Sequence, residues 1–286
     1  MFVIIGYLVI VGSVLGGYAL AGGHLAALIQ PTELLTIAGA AGGAFFVANS
    51  PKVVKATMAA IPKAFKGSNI NRALYMDLLA MMYEILSKIR KEGLMSVEGD
   101  IETPDASPIF SKYPKIVSDH HLMEFITYYL RMMVGGNLNA FEIENLMDNE
   151  IETHHEEAHI PIHAIARVAD GTPAFGIVSA VMGVVHTMGS VGLPPAELGE
   201  LIGAALVGTF LGILIAYGFV APLGNALEGK LQEETKVYQC MKVVLLASMN
   251  GYAPQVAAEF GRKVLFSKER PTFSELEEDL KSRKGK

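Results

Sequence analysis

The sequence predicts an all-α integral membrane protein: four transmembrane helices, a large helical cytoplasmic domain between helices 2 and 3, and a long cytoplasmic extension of helix 4. Three observations predict this fold class. Of the 286 residues, 51% are hydrophobic and only 18% are charged, whereas about a quarter are charged in a typical soluble domain. Four windows contain no Asp, Glu, Lys or Arg. No window alternates between apolar and polar residues as a half-buried strand does.

The four charge-free windows are long enough, or nearly so, to cross a bilayer, because about 20 apolar residues span its hydrocarbon core as a helix. They cover residues 1–32, 34–51, 171–196 and 201–227. We therefore predict transmembrane helices over residues 2–21, 34–50, 172–191 and 201–222. We expect the first to remain in the mature protein, because it lacks a basic leading segment and a second apolar span follows closely.

The positive residues predict the orientation in the membrane. All 23 Lys and Arg lie in two segments, with 12 in residues 52–170 and 11 in residues 228–286. The positive-inside rule therefore places both termini and the long middle segment in the cytoplasm. This divides the chain into transmembrane helices 1 and 2 (1–51), a cytoplasmic helical domain (52–170), transmembrane helices 3 and 4 (171–227) and a cytoplasmic C-terminal helix and tail (228–286).

Apolar residues at helical spacing predict the cytoplasmic elements. A basic amphipathic helix is expected over residues 52–61 on the inner leaflet, with Pro62 bending the chain away. The fourth span should continue beyond Pro222 as a long helix that packs on the middle segment, and the charged tail from Pro271 should fray. The remaining predicted helices cover residues 71–92, 119–134 and 138–157.

Charge and cysteine content exclude several functions. The net charge of −6 argues against a nucleic-acid partner, which requires a basic face. The single cysteine, Cys240, excludes a disulfide framework and fits a reducing cytoplasm. No carboxylate lies in the four predicted spans, and an ion at membrane depth generally needs an ionisable relay. We therefore expect a partner to supply the acid if this chain conducts ions, and a self-sufficient transporter is disfavoured.

One short string matches a catalytic motif. Residues 155–159, from His155 to His159 with Glu156 between them, fit the H-E-x-x-H zinc motif. Pro161 follows closely, the next acidic residue is Asp170, and the run belongs to an acidic stretch typical of a solvated helix face. A membrane zinc protease is therefore kept only as an alternative from another class.

Other residues have a plain structural interpretation. Pro173 and Pro222, near the cytoplasmic ends of spans three and four, are interpreted as helix boundaries, with kinks as the alternative. Arg90 and Glu98 are interpreted as solvated charges. Three G-x-x-x-G pairs allow helix backbones to approach closely: Gly12/Gly16, Gly39/Gly43 and Gly208/Gly212.

Longer strings carry a more specific signal. Residues 173–178 (PAFGIV), 181–186 (VMGVVH) and 207–219 (VGTFLGILIAYGF) resemble the third and fourth spans of the MotA-type stator subunits of the bacterial flagellar motor. The likeness extends over nearly the whole chain, from Gly6-Tyr7 through the NGYAP string at residues 250–254 to Glu269-Arg270-Pro271. An ExbB- or TolQ-like energiser is the nearest alternative, although such proteins typically have three spans.

The resemblance implies an ion-driven torque generator that is not an enzyme and needs no cofactor beyond the translocated ion. It implies a pentamer of this subunit around a dimer of the single-span partner MotB, whose aspartate binds the ion. Three charged residues match positions that face the rotor protein FliG: Arg90, Glu98 and Glu150. Exposed charges at such an interface guide the approach of the two proteins and fix their alignment.

The resemblance also assigns residues to ion passage. Pro173 and Pro222 match two prolines that couple ion passage to movement, and Thr209 and Tyr217 match positions that face the ion path. Ala180 lies where sodium-driven relatives tend to carry threonine. A dehydrated sodium ion needs several oxygen ligands. The absence of a threonine hydroxyl at position 180 therefore favours protons as the ion.

Overall fold

The computed structural model describes residues 2–136 and 139–283, and every regular element in them is helical. A π-helical segment, Leu214–Val220, connects the ninth helix to the tenth. In chain order the α-helices are α1 (Phe2–Leu20), α2 (Pro31–Ala48), α3 (Pro51–Phe65), α4 (Arg72–Glu92), α5 (Glu98–Glu102), α6 (Pro114–Val117), α7 (His120–Gly135), α8 (Ala140–Met188), α9 (Pro195–Ile213), α10 (Ala221–Met249), α11 (Pro254–Val264) and α12 (Phe273–Arg283).

Four helical stretches are long and apolar enough to cross a membrane, and the predicted fold class is confirmed. They are Phe2–Leu20, Leu25–Ala48, Ala140–Met188 and Pro195–Met249. The second and fourth begin earlier than predicted, at Pro31 and Pro195, each in the first helical turn. Proline is favourable there because its φ angle suits a helix and its missing N–H has no intrahelical partner in any case.

Prolines that were predicted to end or bend helices lie inside them. Pro62 is within α3, and Pro161 and Pro173 are within the 49-residue α8. The predicted separate helices over residues 138–157 and 172–191 are therefore one helix in the described residues, and residue 138 lies outside them. A membrane helix tolerates internal proline where neighbouring groups accommodate the freed carbonyls.

The chain forms two compact units, and α8 and α10 contribute residues to both. The first unit comprises Met1–Gly67 and Glu157–Lys230. It contains the predicted spans, and many large apolar side chains along α1, α2, α8 and α9 are exposed. Exposed apolar surface on this scale is typical of contact with lipid or with other protein chains.

The second unit comprises Ser68–Glu156 and Leu231–Lys286 and has its own hydrophobic core. The apolar face of α4 is almost completely buried. It packs with α11, and it shares one core with residues of α7 and of the second half of α10, where Val237, Met241 and Val244 are buried. This confirms that the helix continuing from the fourth span packs on the middle segment.

The tail differs from the prediction that it frays. Residues Phe273–Arg283 form α12, with Leu276 and Leu280 buried in the core. Arg283 donates a hydrogen bond from Nη2 to Oδ1 of Asp77 over 3.1 Å. The composition of the tail is charged, but two apolar residues one helical turn apart are enough to hold it on the core. Residues 284–286 lie outside the described part of the chain.

Candidate functional site

The helices α8 and α9 pack through small residues. A Cβ atom added to Gly212 would lie 2.7 Å from the Cα atom of Gly176, and one added to Gly183 would lie 2.6 Å from the Cβ atom of Ala205. Real Cβ atoms do not approach so closely, so these positions require glycine. Of the three predicted G-x-x-x-G pairs, only Gly208/Gly212 makes such contacts within the described residues. A Cβ atom on Gly12, Gly16, Gly39 or Gly43 would meet no atom within 4 Å.

A carboxylate lies at the same crossing. Glu33 is in the first turn of α2, and its carboxylate accepts a hydrogen bond from Oγ of Ser179 on α8. A Cβ atom on Gly208 of α9 would lie 2.7 Å from Oε2 of Glu33. The expectation that the spans contain no acid is therefore wrong. The predicted second span began one residue too late to include Glu33.

The predicted ion-path positions lie around this junction. Ala180 follows Ser179 on α8, and Thr209 follows Gly208 on α9, and both are partly exposed within this chain. Tyr217, farther along in the π-helical segment, is 59% exposed. The first unit therefore leaves Tyr217 open for contact with lipid, water or another chain.

The segment around Pro222 is a helix of altered winding rather than a helix end. Because proline has no N–H, the carbonyl of Gly218 loses its α-helical donor, and the backbone widens into the π-helical segment before α10. Oη of Tyr7 donates a hydrogen bond to the carbonyl oxygen of Phe219 over 2.8 Å. A side chain from α1 thus satisfies a carbonyl where the regular helical pattern is interrupted.

Pro173 lies inside α8 and is likewise no boundary. The preceding residue, Thr172, is buried and donates from Oγ1 to the carbonyl oxygen of Val168 over 2.6 Å. Such a back bond from threonine competes with the helix hydrogen bonds and often bends a helix. Both functional prolines of the prediction are therefore at points where a continuous helix is locally weakened.

In the second unit, Arg90 and Glu98 lie on either side of a turn. Arg90 is in the last turn of α4, and Glu98 is the first residue of α5. Gly93 ends α4 with a φ angle of 88°, a conformation that glycine adopts without strain. Both charged side chains are exposed, and neither forms an ion pair with a residue that the structure describes.

The turn is held by a buried charge. Asp100 on α5 has a side chain that is only 4% exposed, and its Oδ2 lies 2.7 Å from Nζ of Lys88 on α4. Oγ of Ser107 donates a second hydrogen bond to Asp100 over 2.6 Å. A buried carboxylate with two donors is held in a defined position, so α4 and α5 present Arg90 and Glu98 from a rigid turn.

The third charged position, Glu150, has an internal partner. Oη of Tyr129 donates to Oε2 of Glu150 over 2.5 Å. Burial, reinforced by this hydrogen bond to a carboxylate, raises the pKa of the Tyr129 hydroxyl well above its ordinary value. Tyr129 therefore remains a neutral donor at physiological pH and keeps the exposed carboxylate of Glu150 in place.

The histidines of the zinc-like string have other partners. Nδ1 of His155 lies 3.1 Å from Oγ1 of Thr235, and Nε2 of His159 lies 3.2 Å from Oε2 of Glu228. Within residues 2–136 and 139–283, no group of three or more His, Cys, Asp or Glu is placed to hold a metal ion. The geometry therefore offers no support for the protease interpretation.

Sequence reasoning gave no role to Glu33, Ser179 or Tyr7. The signal for Glu33 was Pro31, because proline at a first helical position extends the second span to include residue 33. No local pattern identifies Tyr7, whose acceptor is 212 residues away in the chain.

Comparison with known protein families gives two matches. Residues 4–93 match the model described as motility protein A N-terminal, and residues 118–240 match the MotA/TolQ/ExbB proton channel family. The chain is 54% identical to motility protein A of Salmonella typhimurium, over 99% of this chain and 96% of the relative. It is also 54% identical to motility protein A of Escherichia coli, over 100% and 97%.

Two solved structures share the fold. The MotAB structure from C. jejuni matches with a TM-score of 0.78 and 22% identity, covering 93% of this chain and 95% of that chain. The flagellar MotAB stator complex from Bacillus subtilis matches with a TM-score of 0.74 and 26% identity, covering 90% and 92%. The arrangement of helices described above is thus that of chains found in stator complexes.

Proposed function

Because this chain belongs to the motility protein A family, we propose that it forms, with MotB, an ion-conducting torque generator that drives the flagellar rotor through FliG. The chain is a stator subunit of the bacterial flagellar motor. One observation carries this conclusion: the 54% identity to motility protein A of Escherichia coli covers the whole chain and 97% of the relative. Its place is the membrane, and we propose the inner membrane with both termini in the cytoplasm.

The proposed assembly is a pentamer of this chain around a MotB dimer, embedded in lipid. Two observations support a multi-chain assembly. The similar solved structures are MotAB complexes, and large side chains of the fourth span, such as Leu206, Ile213 and Tyr217, are exposed in the single chain. A helix that is apolar on all sides needs lipid or protein around it, and the partner's span fits that requirement.

The proposed mechanism is a charge-driven change of helix arrangement. An ion enters from the periplasm and neutralises an aspartate of MotB, which changes the arrangement that the surrounding helices favour. Pro173 and Pro222 lie where α8 and the fourth span are locally weakened, so we assign the bending to these points. Each charge that crosses supplies about 2.3 kcal/mol per 100 mV, enough to bias two packed states. The ring then advances and pushes the rotor.

The proposed ion is the proton. Ala180 contributes no hydroxyl at a position beside the helix crossing, and sodium needs several oxygen ligands once dehydrated. We expect cells that depend on this subunit to swim normally in sodium-free medium. Cells that stop when sodium is removed and recover when it is restored would show that sodium is the ion.

The proposed rotor-facing surface consists of Arg90, Glu98 and Glu150, all exposed on the second unit. Opposite charges on FliG would meet these residues after long-range attraction has oriented the partners. Because Arg90 and Glu98 extend from a turn held by Asp100, their separation stays constant while the stator steps. No enzyme activity is part of this mechanism, and the relatives are motility proteins.

The rotor interface is tested by charge reversal with a neighbouring control. We expect Arg90→Glu to lower torque about two- to fivefold, the scale of a single exposed ion pair, and a reversed charge on FliG to restore it. The control is Lys91→Glu, which reverses the adjacent exposed charge and should leave torque near the wild-type value. Rotation of tethered cells is the measurement. Equal losses in the two variants, with no rescue by FliG, would show that Arg90 has no specific role.

The ExbB- or TolQ-like alternative is disfavoured by the first ninety residues of the match. Residues 4–93 fit the motility protein A N-terminal model rather than only the shared channel model. Co-purification of the full chain from membranes tests the partner directly. The proposal requires a one-span protein with a membrane aspartate to accompany it.

A further inference from the structure

The carboxylate of Glu33 is partly buried within the first unit. It is on α2 near the helix start, but its contacts are with interior turns of two neighbouring helices. Ser179 lies about 13 Å along α8 from its end at Met188, and Gly208 lies about 20 Å along α9 from its start at Pro195, at a rise of about 1.5 Å per residue. An acid at membrane depth marks an ion pathway by default.

The missing side chain of Gly208 leaves room for the Glu33 carboxylate. Gly208 has no side chain, and a Cβ atom there would lie 2.7 Å from Oε2 of Glu33 and 3.1 Å from the amide nitrogen of Ala180. The Glu33 carboxylate therefore occupies the space that any larger residue at position 208 would fill. Three helices meet at this carboxylate, because Glu33 is on α2, Ser179 is on α8 and Gly208 is on α9.

Its hydrogen bonding leaves room for a cation. In the described residues Glu33 forms no ion pair, and the Ser179 hydroxyl is its donor. A carboxylate has about four acceptor sites, so a proton can still bind. Serine suits both charge states, because a hydroxyl donates to a carboxylate and accepts from a carboxylic acid.

Other charged and titratable groups stand apart along the same helices. No other residue of α2 is charged. On α8, Asp170 and His186 lie about 13 Å and 10 Å along the helix from the contact point, and on α9 Glu200 lies about 12 Å from it. Between them the helix faces carry apolar and hydroxyl side chains.

We propose that Glu33 and Ser179 form a second cation-binding station of the ion path, carried by this chain beside Ala180 and Thr209. A hydronium ion from the periplasm transfers its proton to the Glu33 carboxylate, forming an O–H bond and leaving water. The acid then returns the proton to a water molecule that passes it to the partner's aspartate, and the carboxylate is restored. This inference rests on the proposed function, because it uses the same ion path. The path then contains two acids, Glu33 of this chain and the aspartate of the partner.

The decisive variant is Glu33→Gln, tested in the full chain assembled with its one-span partner in vesicles. Glutamine keeps the size and can still accept from Ser179 but cannot titrate. We expect proton flux to fall about 100-fold, the lower range for loss of a positioned proton-transfer group, with the complex still assembled. Glu33→Asp should recover part of the flux. The matched control is Glu197→Gln, the same change at an exposed acid of α9. Wild-type flux in Glu33→Gln would overturn the proposal.

A second measurement works without the partner and covers a variant that fails to assemble. Infrared difference spectra of the full chain in detergent, taken between two pH values, should contain a carboxyl band that disappears in Glu33→Gln and shifts in Ser179→Ala. The absence of such a band would overturn the proposal, because a carboxylate that takes up no proton cannot pass one on. If wild-type complexes do not conduct at all, the proposed function fails, while this spectrum still decides the fate of the Glu33 site.

Discussion

At the residue scale, Gly212 allows α8 and α9 to pack closely, because its side chain is only a hydrogen atom. We expect Gly212→Ala to destabilise the membrane unit by about 1–3 kcal/mol, the usual cost of overpacking. The added Cβ atom would lie 2.7 Å from the Cα atom of Gly176, and backbone cannot move aside as a flexible side chain can. Thermal unfolding of the full chain in detergent measures the change.

The control for this variant is Gly39→Ala, which adds the same methyl group where no atom lies within 4 Å. It should unfold at or above the wild-type temperature, because alanine favours a helix over glycine. If both variants lose the same stability, close packing of α8 on α9 is not the reason for glycine at position 212.

Cys240 gives a second test at the residue scale. Burial raises the pKa of its thiol to about 12, so about one thiol in a thousand is ionised at pH 9. The folded state therefore keeps the thiol protonated. The contribution of this buried thiol to the free energy of unfolding is complete below the ordinary thiol pKa, and it declines as pH rises toward 12. We expect alkylation of native protein at pH 9 to be about a thousandfold slower than in denaturant. Equal rates would show that the second unit opens readily around this residue.

At the element scale, the π-helical segment Leu214–Val220 depends on a contact from α1. Removing the Tyr7 hydroxyl leaves the carbonyl of Phe219 without that donor. We expect Tyr7→Phe to cost about 1 kcal/mol, measured by the thermal midpoint of helix loss in detergent, and to slow rotation if the bend moves during a step. Its effect on speed should exceed its effect on the amount of stator in the membrane.

Tyr18→Phe is the matched control, because it removes a hydroxyl from the same helix at a partly exposed position. The described residues provide no hydrogen-bond partner for that hydroxyl. Comparable losses in the two variants would mean that α1 responds to tyrosine loss in general and not to the bond with Phe219.

At the scale of the whole molecule, the distribution of Lys and Arg predicts orientation. A membrane-impermeant maleimide should label Ala196→Cys in intact cells and should label Ser267→Cys only after the cells are opened. Both positions are exposed, and Cys240 can remain in place because it is buried. The reverse pattern would contradict the positive-inside assignment.

Much of the architecture follows from local properties of the chain. Long runs without charge predict the spans, and helical spacing of apolar residues predicts α4, α7 and the extension of the fourth span, because burial of an apolar stripe depends on nearby residues. Pro173 and Pro222 were interpreted as boundaries because local rules disfavour proline within helices. Neighbouring side chains such as Tyr7 and Thr172 provide hydrogen bonds near these prolines, and a rule based on short segments cannot detect them.

The sequence by itself determined that this is a four-span helical membrane protein, and its similarity to known motility proteins determined the family. Only the tertiary structure decided that Glu33 faces Ser179 across a space kept open by Gly208, and that the tail is a helix held by Leu276 and Asp77. The physical reason is distance along the chain. Hydrophobicity and helix propensity are properties of adjacent residues, whereas a contact between residues 33 and 179 exists only after the helices have packed.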